Sequence, residues 1–239
     1  MRYNWLLSLL LIAPGLATGA PRLVLVTEEY PPYNMSNDKG EVVGISTAIV
    51  KAMMTEVGYD YELSIYPWSR AITLARTQVN TCVFSMSRTP EREALYKWIG
   101  PLVFNDWSLF GRSGESRPAR MEDVQNMHIG SYQGDAIVTY LQSRGYFVDV
   151  APSDNLNPKK LQAGRIDYWA TGRLIGQYRL RQQGVTDIEP MLTFNHSEMF
   201  LACQKQLPDT QVDLLQKALK ELERRGAIKA IYASYGYTP

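Results

Sequence analysis

The 239-residue sequence contains few of the residues that build metal centres and redox sites. It has two cysteines and two histidines, and neither His128 nor His196 has a partner at metal-ligand spacing. The Gly-x-Ser-x-Gly nucleophile motif, the phosphate-binding loop and the dinucleotide-binding glycine pattern are also missing. We therefore expect a protein that uses no metal and no cofactor and that is not an enzyme.

An excess of one charge sign is absent as well. The chain carries 25 Lys and Arg against 24 Asp and Glu, which gives a formal net charge of +1. This balance argues against a nucleic-acid partner, because such proteins usually present a strongly basic surface. After the first 20 residues, no apolar run is long enough to span a bilayer.

Residues 1–19 have the pattern of a signal peptide. Arg2 precedes an apolar run over residues 5–13, and small residues follow at positions 17–19. We predict cleavage after Gly19 and export of a soluble protein, expected to be a monomer, to the periplasm. Cys82 and Cys203 both lie in apolar runs. That compartment permits a disulfide between them, but two buried thiols are equally compatible with the sequence.

The remainder of the chain alternates strand and helix patterns. Residues 22–27 and 81–84 are short apolar runs typical of buried strands, and Ile45, Ile49 and Met53 recur at helical spacing between them. Such alternation predicts an α/β fold with a parallel sheet. A second series of the same kind spans residues 127–183, so we expect two lobes with a cleft between them.

The strongest candidate for a ligand site follows the strand at 81–84. Ser85 and Ser87 supply hydroxyls, Pro90 opens a helix, and Arg92 places a guanidinium in its first turn. Hydroxyls, helix N–H groups and a guanidinium together suit a carboxylate. Because ligands bind at the carboxyl ends of parallel strands, Tyr30 and Trp68 are expected to meet these groups.

The order of several short motifs resembles the periplasmic solute-binding proteins of the polar-amino-acid type, family 3. The motifs lie at residues 30–33, 87–92, 130–134 and 163–167. The resemblance covers the mature chain and implies a two-lobed type II fold, in which each lobe is a mostly parallel sheet flanked by helices. Two hinge crossovers would fall near residues 109–112 and 200–205. One lobe would comprise residues 20–109 and 204–239, and the other residues 110–203.

The resemblance also implies a function and a set of ligand contacts. Members of the family deliver a captured solute to a membrane ABC importer, so a small carboxylate-bearing solute and an ABC permease are the expected partners. An aromatic pair would sandwich the solute side chain, a hydroxyl and guanidinium group would hold its carboxylate, and the second lobe would add a further contact. The corresponding residues here are Tyr30 with its neighbour Tyr33, Trp68, Ser85, Ser87, Arg92 and Asp135.

One position departs from the family pattern. The family aspartate that binds a ligand ammonium would lie about five residues after Asp167, and this chain has Gly172 there. The missing charge could come from Glu28, Glu29 or Asp135, or the solute could be an acid without an amine. Two other functions stay open: a sensor that reports to a membrane protein, and a dehydratase-like enzyme on the same fold that uses a cleft carboxylate.

Overall fold

The structure is a computed structural model that describes residues 22–237, so the predicted signal peptide lies outside the described residues. Within this range the chain forms ten strands and eight α-helices. The strands are β1 Arg22–Thr27, β2 Met35–Ser36, β3 Val42–Val43, β4 Asp60–Ile65, β5 Thr81–Ser87, β6 Tyr96–Arg112, β7 His128–Tyr132, β8 Phe147–Ala151, β9 Tyr168–Gly172 and β10 Ile188–Gln204. The helices are α1 Ile45–Val57, α2 Trp68–Thr77, α3 Pro90–Glu93, α4 Ala136–Gln142, α5 Asn157–Gln162, α6 Arg173–Gln183, α7 Asp209–Arg224 and α8 Ala227–Ser234.

Eight of the strands form one sheet in the order β4-β1-β5-β10-β6-β9-β7-β8. The β4-β1-β5 group and the β9-β7-β8 group are each parallel, whereas β10 and β6 run antiparallel to their neighbours between them. The two parallel groups confirm the predicted α/β fold with two similar halves. Each parallel group corresponds to one of the two strand–helix series in the sequence.

The two central strands are much longer than the sequence predicts. Strands β6 and β10 each span 17 residues and pair along their whole lengths, from Arg112 opposite Ile188 to Tyr96 opposite Gln204. Their full length could not be predicted from the sequence, because a Gly-Pro pair at 100–101 interrupts the apolar alternation of β6. The register shifts three times along the pair, and these irregularities let both strands continue from one half into the other.

The first half has a core built from both ends of the chain. The predicted helical face of α1 is confirmed, since Ile45, Ile49 and Met53 are fully buried. Helix α7 buries Leu215 and Leu219 against the same cluster, and α1 and α7 pack together. The amphipathic spacing of apolar residues in both helices accounts for this packing.

The second half has a separate core. Residues from β6, β7, α4 and β9 form one cluster, which includes Leu109, Ile129, Ile137 and Ala170. On strand β6, Val103 belongs to the first core and Trp107 to the second. The long central strands therefore connect two lobes that each have their own apolar interior.

A disulfide joins Cys82 of β5 to Cys203 of β10, which decides the question that the sequence left open. The two residues are direct partners in the antiparallel pairing of these strands. The bond therefore joins the start of β5 to the last residues of β10 within the first lobe.

Candidate ligand-binding site

Six of the seven residues predicted to bind a ligand line one small cavity between the lobes. The cavity has a volume of about 20 Å³. The six predicted residues are Tyr30, Trp68, Ser85, Ser87, Arg92 and Asp135. Five further residues complete the wall, namely Glu28, Asn105, Tyr132, Ala136 and Met199. The cavity is thus built mainly from polar groups and aromatic rings.

Strand ends bring these residues together. Glu28 directly follows β1, Ser87 is the last residue of β5, and Tyr132 is the last residue of β7. Asp135 caps the start of α4, just beyond β7. Because all of these strands are parallel within their groups, their carboxyl ends face the boundary between the lobes, which is where α/β sheets place their ligands.

Tyr33 is the exception, and its predicted place at the ligand wall is wrong. The side chain is only 2% exposed, and its hydroxyl donates to the backbone carbonyl of Phe104 at 2.7 Å. Its ring stacks on that of Tyr30 with 5.9 Å between the centroids. The tight turn after β1 points Tyr33 into the core, so it supports Tyr30 from behind.

Arg92 and Trp68 both reach across to the second lobe. The Arg92 guanidinium donates to the Gly134 carbonyl at 2.7 Å and to the Ser87 carbonyl at 3.1 Å. The Trp68 indole N–H donates to the same Gly134 oxygen at 2.9 Å. Gly134 has a φ of 82°, a left-handed conformation that suits glycine and that directs this carbonyl toward the two donors. The guanidinium thus already binds an oxygen at the point where the sequence predicts a carboxylate.

The two predicted serines differ in their surroundings. Ser85 has a φ of 62°, which is uncommon for a residue with a side chain, and its hydroxyl donates to the side-chain oxygen of Asn34. Ser87 accepts a hydrogen bond from Ser197 at 3.1 Å. Ser85 is therefore held by the loop after β1, whereas Ser87 faces the late strand β10.

Two buried carboxyl groups face the cavity from opposite lobes. Glu28 accepts a hydrogen bond from the Tyr132 hydroxyl at 2.8 Å, and Asp135 accepts one from the Ile137 backbone N–H at 3.1 Å. Burial raises the pKa of Glu28 to about 8 and the pKa of Asp135 to about 7. The nearby Arg92 guanidinium opposes this rise at Asp135, and burial lowers the pKa of Arg92 itself.

The structure distinguishes among the three acids that the sequence offers as sources of the missing negative charge. Glu28 and Asp135 line the cavity, but Glu29 does not. The Glu29 carboxylate binds the backbone N–H of Ser36 at 3.0 Å and the hydroxyl of the same residue at 2.5 Å. Glu29 is exposed and holds the following loop, and it lines the larger cavity of about 460 Å³ next to this one.

Gly172 has no room for a side chain. A Cβ atom at this position would lie 2.4 Å from the Asn105 side-chain oxygen and 2.6 Å from the Tyr30 hydroxyl. The Asn105 amide also donates to the Tyr30 hydroxyl at 3.0 Å. These two side chains therefore fill the space into which the family aspartate would project. Asn105 and Tyr132 line the cavity but were not among the predicted residues. No local motif marks Asn105, which lies within the long strand β6, whereas Tyr132 ends β7 inside the motif at residues 130–134 and could have been included.

Two larger cavities adjoin the small one. A cavity of about 460 Å³ shares Glu28, Trp68 and Tyr132 with it and also contacts Tyr66 and Arg179. A second, of about 950 Å³, lies on the other side of the cleft and shares Ala136 with it. The small cavity is thus the narrow middle of a longer cleft between the lobes.

Residues 22–237 contain no group of three or more His, Cys, Asp or Glu side chains that could hold a metal ion. In the same range, each helix is too short or too polar to cross a membrane. His196 pairs with Asp106 at 2.7 Å and His128 lies 3.6 Å from Asp167, and both pairs are exposed.

Several solved structures have a similar fold. A histidine kinase sensor domain with similarity to periplasmic binding proteins aligns with a TM-score of 0.85 at 20% identity, covering 92% of this chain and 99% of that one. An ancestral arginine-binding protein bound to arginine aligns with a TM-score of 0.78 at 20% identity, covering 89% and 97%. The substrate-binding protein of an amino acid ABC transporter aligns with a TM-score of 0.76 at 16% identity, covering 90% and 98%. At these identities the likeness establishes the fold alone.

A comparison with curated proteins gave no sequence match. The family model of the bacterial extracellular solute-binding proteins, family 3, matches residues 23–238. That match spans nearly the whole chain, and the two lobes, the central strands and the interlobe cavity agree with it. The chain therefore belongs to family 3 of the bacterial extracellular solute-binding proteins.

Proposed function

We propose that this protein captures a small carboxylate-bearing solute between its two lobes and delivers it to a membrane ABC importer. The observation that carries the proposal is Arg92, whose guanidinium crosses the lobe boundary into the polar cavity. A carboxylate could replace the Gly134 carbonyl on this guanidinium. The exchange is favourable because a carboxylate adds a negative charge opposite the guanidinium and can accept two parallel hydrogen bonds from it, whereas the carbonyl oxygen carries no net charge.

Binding in this proposal requires the lobes to separate and close again. A cavity of about 20 Å³ is close to the size of one water molecule, so a solute enters only when Arg92 and Trp68 part from Gly134. We place the hinge on strands β6 and β10, and solute contacts from both lobes then favour the closed form.

The predicted lobes, residues 20–109 with 204–239 and residues 110–203, remain part of the proposal. On β6, Val103 packs in the core of the first lobe and Trp107 in the core of the second. This favours a crossover between these two residues, slightly before the predicted residues 109–112. On β10, Met191 packs in the second core and Met199 in the first, which again favours a crossover before the predicted 200–205.

We also propose cleavage of residues 1–19, a periplasmic location and a monomeric state. The family description as extracellular solute-binding proteins supports the export step. The signal-peptide pattern at the start of the chain supports it independently.

The first experiment is a thermal-shift screen of the mature protein against amino acids, polyamines and small organic acids, followed by calorimetry on each hit. A ligand that binds only the folded protein raises the melting temperature.

We expect Arg92→Ala to weaken a carboxylate-bearing hit by at least about 1.5 kcal/mol, since a hydrogen bond to a charged group is lost. The matched control is Arg88→Ala, because Arg88 is exposed and pairs with Glu93 at 2.6 Å. Unchanged affinity in Arg92→Ala would refute the carboxylate assignment.

A sensing role is the second candidate, because the same fold serves as a sensor domain in a histidine kinase. The partner distinguishes the two functions. Stimulation of a permease–ATPase complex by the loaded protein supports import, and stimulation of a membrane receptor supports sensing.

For the dehydratase alternative, Glu28 with its raised pKa would be the acid group, and turnover of a prephenate-like acid is the assay.

A further inference from the structure

Two acids of the small cavity come from opposite sides of the lobe boundary. Glu28 follows β1 in the first lobe, and Asp135 precedes α4 in the second. Glu28 accepts a hydrogen bond across the boundary from the Tyr132 hydroxyl at 2.8 Å. The carboxyl oxygen Oδ2 of Asp135 is buried and bonds to no group within residues 22–237. Closing the lobes therefore moves both carboxyl groups from water into a cavity of about 20 Å³.

The closed boundary holds too little positive charge for both acids to be ionised. Arg179 lies 3.4 Å from the Asp154 carboxylate, so its charge is already balanced. Arg92 is the remaining guanidinium, and it would have to serve both carboxylates. The titratable or charged groups that face the two acids are Tyr30 in the loop after β1, Arg92 in α3, Tyr132 in β7, Asp154 before α5 and Arg179 in α6. Among the described residues, the others that line the cavity have no ionisable side chain.

The closed form accordingly favours the protonated acids. Burial raises the pKa of Glu28 to about 8, although the Tyr132 hydrogen bond and the Arg179 charge oppose the rise. Burial also raises the pKa of Asp135 to about 7, against the charge of Arg92. Separation of the lobes returns both carboxyl groups to water, where their pKa values approach the ordinary 4.5 and 3.8. The closed form therefore keeps protons that the open form releases.

We propose that Glu28 and Asp135 form a proton-dependent switch, in which their protonation keeps the solute-free protein closed and their ionisation opens it. The contribution of the switch to closure is complete below the ordinary pKa values of the two acids. It is lost as the pH rises through about 7 and then about 8. An acidic medium thus keeps the cavity shut, and a mildly alkaline medium opens it.

The other hydrogen bonds across the boundary do not titrate in this range. Arg92 and Trp68 donate to the Gly134 carbonyl, and Arg179 donates to the Glu29 carbonyl at 3.2 Å. These bonds hold the lobes together once the two acids are neutral. The switch shares with the proposed function only the hinge on β6 and β10, and it needs no solute.

The experiment measures the distance between the lobes in solute-free protein, which is refolded from urea so that no copurified solute remains. Ser69→Cys and Asn155→Cys place spin labels on exposed residues of opposite lobes, on either side of the cavity of about 460 Å³. The two native cysteines are joined in a disulfide and take no label. Pulsed electron spin resonance then gives the distribution of distances between the labels.

We expect the ratio of open to closed molecules to rise at least about tenfold between about pH 5.5 and about pH 8.5. The reason is that the closed form loses its bound protons over this interval. Small-angle X-ray scattering of the unlabelled protein should show the same expansion, which excludes an effect of the labels. A distance distribution that does not change with pH would overturn the inference.

Two variants assign the response to the acids. Glu28→Gln and Asp135→Asn remove the titrating groups but keep the side-chain shapes, and asparagine is as good an N-cap for α4 as aspartate. Each alone should reduce the rise in the open fraction, and the double variant should stay closed at both pH values. The matched control Glu29→Gln alters an exposed acid that binds Ser36, and it should keep the full response. Equal opening in the double variant and the wild type would also overturn the inference.

The outcomes separate the inference from the proposed function. If the distance between the lobes is independent of pH but a carboxylate solute binds through Arg92, the inference falls and the proposed function stands. If alkaline pH opens the lobes but no compound in the screen binds, the switch stands and the proposed function falls.

Discussion

At the scale of single residues, the buried carboxyl groups of Glu28 and Asp135 link stability to pH. Burial raises their pKa values to about 8 and about 7, from ordinary values of 4.5 and 3.8. The folded protein therefore keeps protons that the unfolded chain releases, and this contribution to stability is lost as the pH rises through the folded pKa values. We expect the free energy of unfolding, measured in urea without added solute, to fall by at least about 2 kcal/mol between about pH 5 and pH 8.5.

Glutamine variants provide the control for this pH dependence. Glu28→Gln cannot lose a proton at this position, so its unfolding free energy should fall less over the same range, and the fall that remains should come from Asp135. Glu29→Gln should keep the slope of the wild-type protein, because Glu29 is exposed and lies outside the cavity. An unchanged slope in Glu28→Gln would contradict the assignment of the effect to this carboxyl group.

Close packing at Gly172 gives a second prediction at this scale. The Cβ of Gly172→Ala would lie within 2.6 Å of both Asn105 and Tyr30, so these side chains or the backbone of β9 must shift. Overpacking of this kind costs roughly 1–3 kcal/mol, and urea unfolding should show a loss of that size. The double variant with Asn105→Ala should recover part of the loss. A neutral Gly172→Ala would show that the space is larger than the structure indicates.

At the scale of secondary-structure elements, Asp154 connects three segments of the second lobe. Its carboxylate accepts hydrogen bonds from Asn157 at 3.0 Å, from the Trp169 indole at 2.7 Å and from the Thr171 hydroxyl at 2.9 Å. It also lies 3.4 Å from the Arg179 guanidinium of α6. This single side chain thus joins α5, β9 and α6.

Removing that carboxylate should destabilise the lobe strongly. Asp154→Ala leaves the buried donors of Trp169 and Thr171 without an acceptor and removes the counter-charge of the Arg179 guanidinium, which we expect to cost about 3–5 kcal/mol in urea unfolding. Asp149→Ala is the matched control, because Asp149 forms a partly exposed pair with Lys160. Its expected cost is below about 1 kcal/mol. Similar losses in the two variants would contradict the structural role of Asp154.

The elements differ in how far the sequence could predict them. Helices α1 and α7 follow from apolar residues at helical spacing, and the starts of α3 and α4 follow from Pro90 and Asp135. The full length of β6 and β10 could not be predicted, because their irregular pairing interrupts the alternation that marks a strand. Contacts such as Asp154 with Trp169, or Asn105 with Tyr30, join distant segments, so no local pattern indicates them.

The residues of the site also differ in how far the sequence could predict them. Arg92, Trp68 and the two serines could be predicted, because each lies next to a recognisable strand end or helix start. Asn105 has no such neighbour, and Tyr33 is misassigned because the sequence cannot show which of two tyrosines in one loop faces the cleft. Side-chain direction within an irregular loop depends on tertiary packing.

At the scale of the whole molecule, the two lobes are held by direct hydrogen bonds across the cleft. Arg92 and Trp68 bind the Gly134 carbonyl, Tyr132 binds Glu28, and Arg179 donates to the backbone carbonyl of Glu29 at 3.2 Å. A solute carboxylate and the Gly134 carbonyl compete for the same guanidinium. The measured affinity for a solute is therefore the difference between its own contacts and those that it displaces.

The disulfide gives the chain a covalent topology with a consequence for proteolysis. Cys82 and Cys203 are separated by 121 positions, and the interval includes every strand and helix of the second core. The protein is thus a large ring with two tails, and both tails pack into the first core. A single cut in the exposed segment at residues 113–117 opens the ring but releases no fragment. On a denaturing gel the nicked protein should run as one species without reductant and as two with it, and two species without reductant would contradict the ring.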